Sequence, residues 1–334
     1  MLLVFGSINL DLAFLAPKLP APGETVLGRG LLVSPGGKGA NQAHAARRDG
    51  MPTTLVGAVG DDAFAAPALV ALQSAGVDLK AVQRLPGATG CASIAVDDEG
   101  HNQIVVAPGV NLALRQQAVG DELLARAAAL LLQQETDPDE ALALLRRAAT
   151  SRALKVLNNA PARPLTPEWL ERLDVLIVNE TEALQTLQGL AGTALDDLAR
   201  HAHAWTAGPE SGGCAPDVVD ALATLARRCG LVVVLTLGSR GAMALTPRQR
   251  IVQAPLAVSV VDTTGAGDTF AGVLCSAMIE GRSLAEAMRR ACTAAALACT
   301  RAGAQAAQPT REQIDQALAD APAAVETPAA QGST

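Results

Sequence analysis

Apolar residues along this chain come in two rhythms. Short runs that are apolar at nearly every position, "LLVFGSI", "TTLVGAVG", "ALKVLNNA", "LDVLIVNE" and "GLVVVLTLG", end in polar residues or glycine. Between them lie stretches with helical spacing, such as "KGANQAHAARRDG", ending at Gly50, and "AFAAPALVALQSAG", stopped by Gly76. The first rhythm predicts strands buried on both faces and the second predicts helices. Their alternation predicts an α/β fold with a mostly parallel central sheet covered by helices on both sides. Ligand sites in such sheets lie beyond the carboxyl ends of the strands. Those ends here carry Asn9–Asp11, Asn158–Asn159, Asn179–Glu180 and Thr236–Gly241.

Two segments break the alternation. "ETVLGRGLLVSPGG" and "GCASIAVDDEGHNQIVVA" predict β-ribbons, the second a hairpin turning at Asp97–Gly100. Inserted after the early strands, they would form a small sheet, a lid from about 12–35 and 88–108 covering the site. The stretch 201–217, "HAHAWTAGPESGGCAPD", reads as a surface loop or insertion. The low-complexity tail, 321–334, reads as disordered, leaving one domain over 1–320.

Composition narrows the field. The chain has 334 residues, enough for a large core, yet only 2% aromatics and no tyrosine, so aromatic stacking is not its main binding device. A net charge of −7 without basic blocks argues against nucleic acid or an anionic membrane as partner. Cysteines at 91, 214, 229, 275, 292 and 299 form no C-x-x-C pair, so neither zinc nor a disulfide framework is indicated. "MLLVFGSINLDL" reads as a first strand instead of a signal peptide, and no apolar stretch has the length of a membrane span. A soluble, reduced, cytoplasmic protein is the expectation.

The chemistry concentrates in "VDTTGAGDTFAGVL". Apolar residues recur at helical spacing from Phe270, so a helix begins near Gly267–Asp268. Its free N–H groups and positive dipole end make an anion site, and Gly265, Ala266 and Gly267 leave room for a phosphate. Asp268 held there could accept a proton from a hydroxyl attacking phosphorus. On spacing alone it reads equally well as a plain helix-capping acid. "SPGGKGAN" is not a P-loop, because Gly39 stands where Ser or Thr is required, and "GRGLLV" and "GAGDTF" lack the third glycine of a dinucleotide fingerprint.

Asn9 and Asp11, with Gly36, Gly37 and Gly39 ahead of a helix starting near Ala40–Asn41, suit a polyhydroxylated ligand. Each piece alone is also an ordinary strand-end turn or glycine loop. "NETEAL" sets Asn179 and Glu182 at a helix start, either for dipole compensation or near a Mg²⁺-nucleotide. "TLGSRGA" suits a nucleotide's phosphate or ribose, although strand-to-turn glycines are common. His201 and His203 lack a partner cluster for a metal, Cys292 and Cys299 fit core packing, and Lys38 is equally an anion contact or a solvated side chain.

With those pieces in order, residues 3–310 resemble the PfkB family of carbohydrate kinases. "PGETVLGRGLLVSPGGKGANQA" and "VDTTGAGDTFAGVL" stand as its early and late signatures, with "NETEA" and "TLGSRGA" between them. The block "GSINLD…PGE…GGKGANQ" is similar to the branch that phosphorylates ribose. The resemblance implies a three-layer α/β sandwich with a small β lid, and the reaction of D-ribose with Mg²⁺·ATP to ribose 5-phosphate. It implies sugar contacts at Asn9, Asp11, Gly37, Lys38, Gly39, Ala40, Asn41 and Glu135, with Asp268 as general base. Nucleotide contacts follow at Asn179, Thr236, Leu237, Gly238, Ser239, Arg240 and Gly241, at the anion loop Gly265–Gly267 and at Cys292 near the adenine. Asp262 and Thr264, with carbonyls of Ala298, Arg301 and Gly303, match a K⁺ site, and Glu182 reaches Mg²⁺ through water. A homodimer formed through the lid is also implied.

Three positions depart from the family. Asn159 replaces a usual proline, 201–217 is an insertion, and Ala307 replaces a hydroxyl side chain in the cation loop. Alternatives stay open at this stage: another sugar (2-deoxyribose or a hexose), a nucleoside, which scarce aromatics disfavour, or a non-catalytic sugar or nucleotide sensor.

Overall fold

The computed structural model describes residues 1–203 and 216–329, the side chains of 201–203 and 216 excepted. Among the described residues its central sheet has nine strands in the order Val325–Pro328, Gln249–Gln253, Ala242–Leu245, Val232–Thr236, Val175–Asn179, Leu154–Asn158, Ala129–Leu132, Leu2–Phe5 and Thr53–Val56. The last six run parallel, and the first three are added antiparallel at one edge. Strand periodicity then separates two cores. Leu3 and Phe5 join a cluster with Leu142, Trp169, Leu187 and Leu222, whereas Leu2 and Val4 join Ala43, Phe270, Leu274 and Met288. Helices therefore cover both faces, as the continuously apolar strands require.

The lid is a separate four-stranded sheet in the order Gly30–Gly36, Asn9–Leu15, Gly90–Val96 and Asn102–Ala107. It leaves Phe14, Leu31, Leu32, Ile104 and Val105 exposed, with Val105 at 71%.

Several expectations change. Asn9 and Asp11 do not close the first central strand, which ends at Phe5; they begin a lid strand paired to Gly36 and Ser34. Just past the strand end, Gly6 lets the Lys38–Arg48 helix pack close: a Cβ there would lie 2.7 Å from the Gly39 backbone. Of the expected ribbon 24–37, only Gly30–Gly36 is a strand. The helix expected near Ala40 starts at Lys38, and that expected near Gly267 starts at Ala266.

The expected loop 201–217 is partly helical: Asp196–His203 and Pro216–Cys229 are helices, and 204–215 lie outside the described residues. The tail is not wholly irregular either. Val325–Pro328 pairs antiparallel with Gln249–Val252, because an edge strand can be recruited by backbone hydrogen bonds with all its side chains exposed. Residues 330–334 lie outside the described residues.

Candidate active site

The helix Ala266–Ile279 starts after Gly265, whose φ of 73° is a left-handed conformation suited to glycine. The Ala266 amide closes a turn onto Thr263 O at 3.2 Å. Gly267 and Asp268 follow in the first turn, where a helix leaves N–H groups without intrahelical acceptors. Among the described residues outside its own helix turn, no atom lies within 4 Å of the place a Gly267 Cβ would occupy, so the loop has open space beside it.

Asp268 is buried, 8% exposed, and both its oxygens are held. Asn41 Nδ2 donates to Oδ2 at 2.9 Å, and Gln42 Nε2 donates to Oδ1 at 2.9 Å. Gln42 Nε2 also reaches Asn158 Oδ1 at 2.9 Å, while Gln133 Nε2 donates to Gln42 Oε1 at 2.7 Å. An acceptor-only carboxylate gripped by two amides has one orientation, and that is what proton transfer at a fixed point requires. Sequence reasoning missed Gln42, Gln133 and Asn158 in this role. Gln42 lies inside the early signature and Asn158 at a strand end, so both positions were legible; the bond between them was not.

On the lid side, Gly36 backs directly onto Asp11, since a Cβ there would lie 2.2 Å from the carboxylate. Gly37, at φ 89°, turns the chain into the Lys38–Arg48 helix. Asn9 is buried, and its Oδ1 accepts from Asn111 Nδ2 at 2.8 Å. Glu135 Oε2 accepts from Ser7 Oγ at 2.6 Å and from the Lys38 amide at 3.1 Å. Ser7 also accepts from the Gly39 amide at 3.2 Å, so Ser7 and Asn111 are further anchors that the sequence did not single out.

The electrostatics join these parts. Burial, then the charges of Glu135 and Asp268, push the Asp11 carboxyl up to about 6 against the pull of Lys38. Burial also raises Glu182. Burial acts to lower Lys38, but the surrounding carboxylates Asp268, Glu135, Glu182 and Asp11 outweigh it and raise the ammonium. Four acids thus share one cation, a surplus that suits hydroxyl donors or a metal-bound phosphate.

Asn179 and Thr236 stand side by side in register at the ends of neighbouring strands. Asn179 and Glu182 form a capping box: Asn179 N donates to Glu182 Oε2 and Glu182 N to Asn179 Oδ1, each at 2.8 Å. Beyond Thr236, the Leu237 amide bonds Gly241 O at 2.8 Å, and Gly238 and Gly241 take positive φ, so the turn presents Ser239 and Arg240 to solvent. Arg240 pairs with Glu180. Cys292 is buried in the apolar cluster that also holds Val234 and Ala242, and burial pushes its thiol up to about 12.

Asp262 ties two loops. Its Oδ1 accepts from Thr264 N at 2.9 Å and Oγ1 at 2.6 Å, and its Oδ2 accepts from Gly303 N at 2.8 Å. These bonds lower its carboxyl even though burial opposes them. Asp262, Thr264 and Gly303 therefore come together beside the anion loop. Arg301 is exposed, Ala298 ends the Leu284–Ala298 helix, and Ala307 is buried. Asn159, at the departure from the family, is buried and donates to Thr186 Oγ1 at 2.9 Å and Arg163 O at 3.0 Å. No group of three or more His, Cys, Asp or Glu that could hold a metal occurs among the described residues, and no helix there is long and apolar enough to cross a membrane.

The profile of the pfkB family carbohydrate kinases matches residues 1–311. A ribokinase of Haemophilus influenzae is 33% identical over 317 residues, covering 93% of this chain and 96% of that protein. Among solved structures, ribokinase from Thermotoga maritima superposes with a TM-score of 0.82 at 28% identity, covering 95% of this chain and 99% of that one. Arabidopsis thaliana ribokinase, solved with ribose and ATP, gives 0.81 at 30% identity, covering 95% and 98%.

Proposed function

The chain belongs to the pfkB family of carbohydrate kinases, and from that premise we propose that it phosphorylates D-ribose at the 5-hydroxyl with Mg²⁺·ATP. One observation carries the reading: a buried carboxylate with both oxygens fixed by Asn41 and Gln42 stands at a helix start beside an open glycine turn. The likeness to the Arabidopsis ribokinase, solved with ribose and ATP, supports ribose as the sugar. So do the non-aromatic, acid-rich walls formed by Asn9, Asp11 and Glu135.

In the proposed reaction, Asp268 takes the proton from the 5-hydroxyl as that oxygen attacks the γ-phosphorus in line. The new P–O bond forms as the bond to the β-phosphate oxygen breaks, and ADP departs with the electron pair. First-turn amides at Gly267 and Asp268 offset charge on the transferred group. Lys38, surrounded by acids, supplies positive charge toward the phosphates. Gly37, Gly39, Ala40 and Asn41 hold the sugar from the helix side, and Thr236 through Gly241 with Asn179 hold the nucleotide. Cys292 gives an apolar wall near the adenine.

Two cations fit the side chains present. Glu182 gives only one oxygen to its capping box, leaving the other to reach Mg²⁺ through water, as this cation prefers. When bound, Mg²⁺ supplies charge neutralisation on the phosphates. Asp262, Thr264 and the carbonyls of Ala298, Arg301 and Gly303 are an all-oxygen set suited to K⁺, which would hold the anion loop in shape. The exposed apolar lid residues suit pairing of two copies into a homodimer.

A coupled ADP-release assay over ribose, 2-deoxyribose, hexoses and inosine tests the reading. Ribose should lead in kcat/KM by at least roughly tenfold, about the discrimination one pocket group supplies. Another sugar or a nucleoside in the lead would overturn the substrate. Binding of ribose and ATP without ADP release would overturn catalysis.

A further inference from the structure

Beneath Asp268 lies a second tier of amides. Gln305 Nε2 donates to Asn41 Oδ1 at 3.0 Å, and Gln308 Nε2 donates to the Asn41 carbonyl at 3.0 Å. Gln308 Oε1 in turn meets His44 Nδ1 at 2.6 Å. Gln305 and Gln308 are buried, at 3% and 0% exposure, and both follow Gly303, whose amide bonds Asp262.

The direction of each bond is dictated from one end. A carboxylate only accepts, so Asn41 must turn Nδ2 toward Asp268 and Oδ1 away from it. Oδ1 then needs a donor, and Gln305 supplies it. With the Gln305 amide reversed, two carbonyl oxygens would face each other, or Asn41 would flip and set an oxygen against Asp268. Gln305 keeps this orientation although its own Oε1 is buried with no protein partner among the described residues.

We infer that Gln305 is a positioning residue for the phosphoryl transfer: it fixes the amide of Asn41, and through it Asp268, from the same loop that carries Gly303. The inference rests on the reading of Asp268 as general base. The 303–308 loop thereby acts on both edges of the site, on the anion turn through Asp262 and on the carboxylate through Asn41.

A double-mutant cycle on the full chain tests this, with Gln305→Leu, Asn41→Ala and the pair. Gln305→Leu should lower kcat for ribose about tenfold, the scale of one coupled bond, with KM for ATP within roughly twofold of the parent. On the Asn41→Ala background it should have no further effect, because its action passes through Asn41. Additive losses, or a kcat unchanged by Gln305→Leu, would overturn the inference. Gln305→Glu, which would accept from Asn41 and reverse its amide, should be at least as impaired as Gln305→Leu; wild-type kcat there would count against it. Circular dichroism and thermal melting exclude variants that fail to fold. Asp268→Asn, run in parallel, separates the two readings: an active Asp268→Asn removes the base role, whereas an inactive one beside an unaffected Gln305→Leu removes only the role of Gln305.

Discussion

A Cβ at Gly272 would lie 2.4 Å from the carbonyl oxygen of Gln42. Gly272 sits one turn beyond Asp268 on the same helix, so its missing side chain is what lets the Lys38–Arg48 helix come close enough for Asn41 and Gln42 to reach the carboxylate. Contact between two backbones cannot be relieved by a rotamer change. Gly272→Val should therefore push the helices apart, lowering stability by about 1–3 kcal/mol for overpacking and cutting kcat more than KM. Thermal melting and steady-state kinetics check both effects.

Asp268→Asn keeps the shape of the side chain and removes its ability to take a proton. Ribose binding measured by calorimetry should persist, while turnover falls by ~10²–10⁴. Near-normal turnover would remove Asp268 from the chemistry.

Gly267→Val tests the phosphate loop separately from folding. An added Cβ meets no atom within 4 Å among the described residues outside its own helix turn, so the melting temperature should hold. Any phosphate brought against the turn would collide with it. KM for ATP should rise by at least about tenfold, a loss of roughly 1.4 kcal/mol in nucleotide affinity.

Asp11 gives a pH signature. Burial and the neighbouring acids raise its folded pKa from 3.8 to about 6, so the folded state holds this proton more tightly than the unfolded chain. The associated stability is complete below pH 3.8 and is lost as pH rises through about 6, at most ~3 kcal/mol from that shift. Asp11→Asn should thus melt higher than the parent at pH 8 and no higher at pH 4. In the parent, ribose KM should worsen as pH falls below about 6, because the protonated carboxyl accepts fewer sugar hydroxyls. A ribose KM that is flat across pH 5–8 would deny Asp11 a place against the sugar.

The boundaries of the site show where sequence reading stopped. Asp268 and its glycine loop stood out because a helix start is a local event, fixed by a few successive residues. Gln42 stood in the same early signature as Asn41, yet its partners Asn158 and Gln133 lie 116 and 91 residues away. Asn9 and Asp11 sit two positions apart at a strand start, in a lid strand that opens after Phe5, and not at the end of the first central strand as the run of apolar residues suggests. The close approach just past the end of the first strand is Gly6 against Gly39, and no periodicity in "FGSINLDL" announces it.

By itself, the sequence determined the α/β alternation, the family and the residue types at the sugar and phosphate ends. Those features depend on periodicity, turn chemistry and spacing along the chain. Only the tertiary structure decided that a lid strand begins at Asn9, that a strand is recruited from the tail, and that Asn41 and Gln42 grip Asp268 while Asn158 and Gln133 hold Gln42. Such contacts depend on how closely two backbones can approach, and at Gly272 and Gly39 this is set by an absent side chain whose neighbour appears only once the chain has folded.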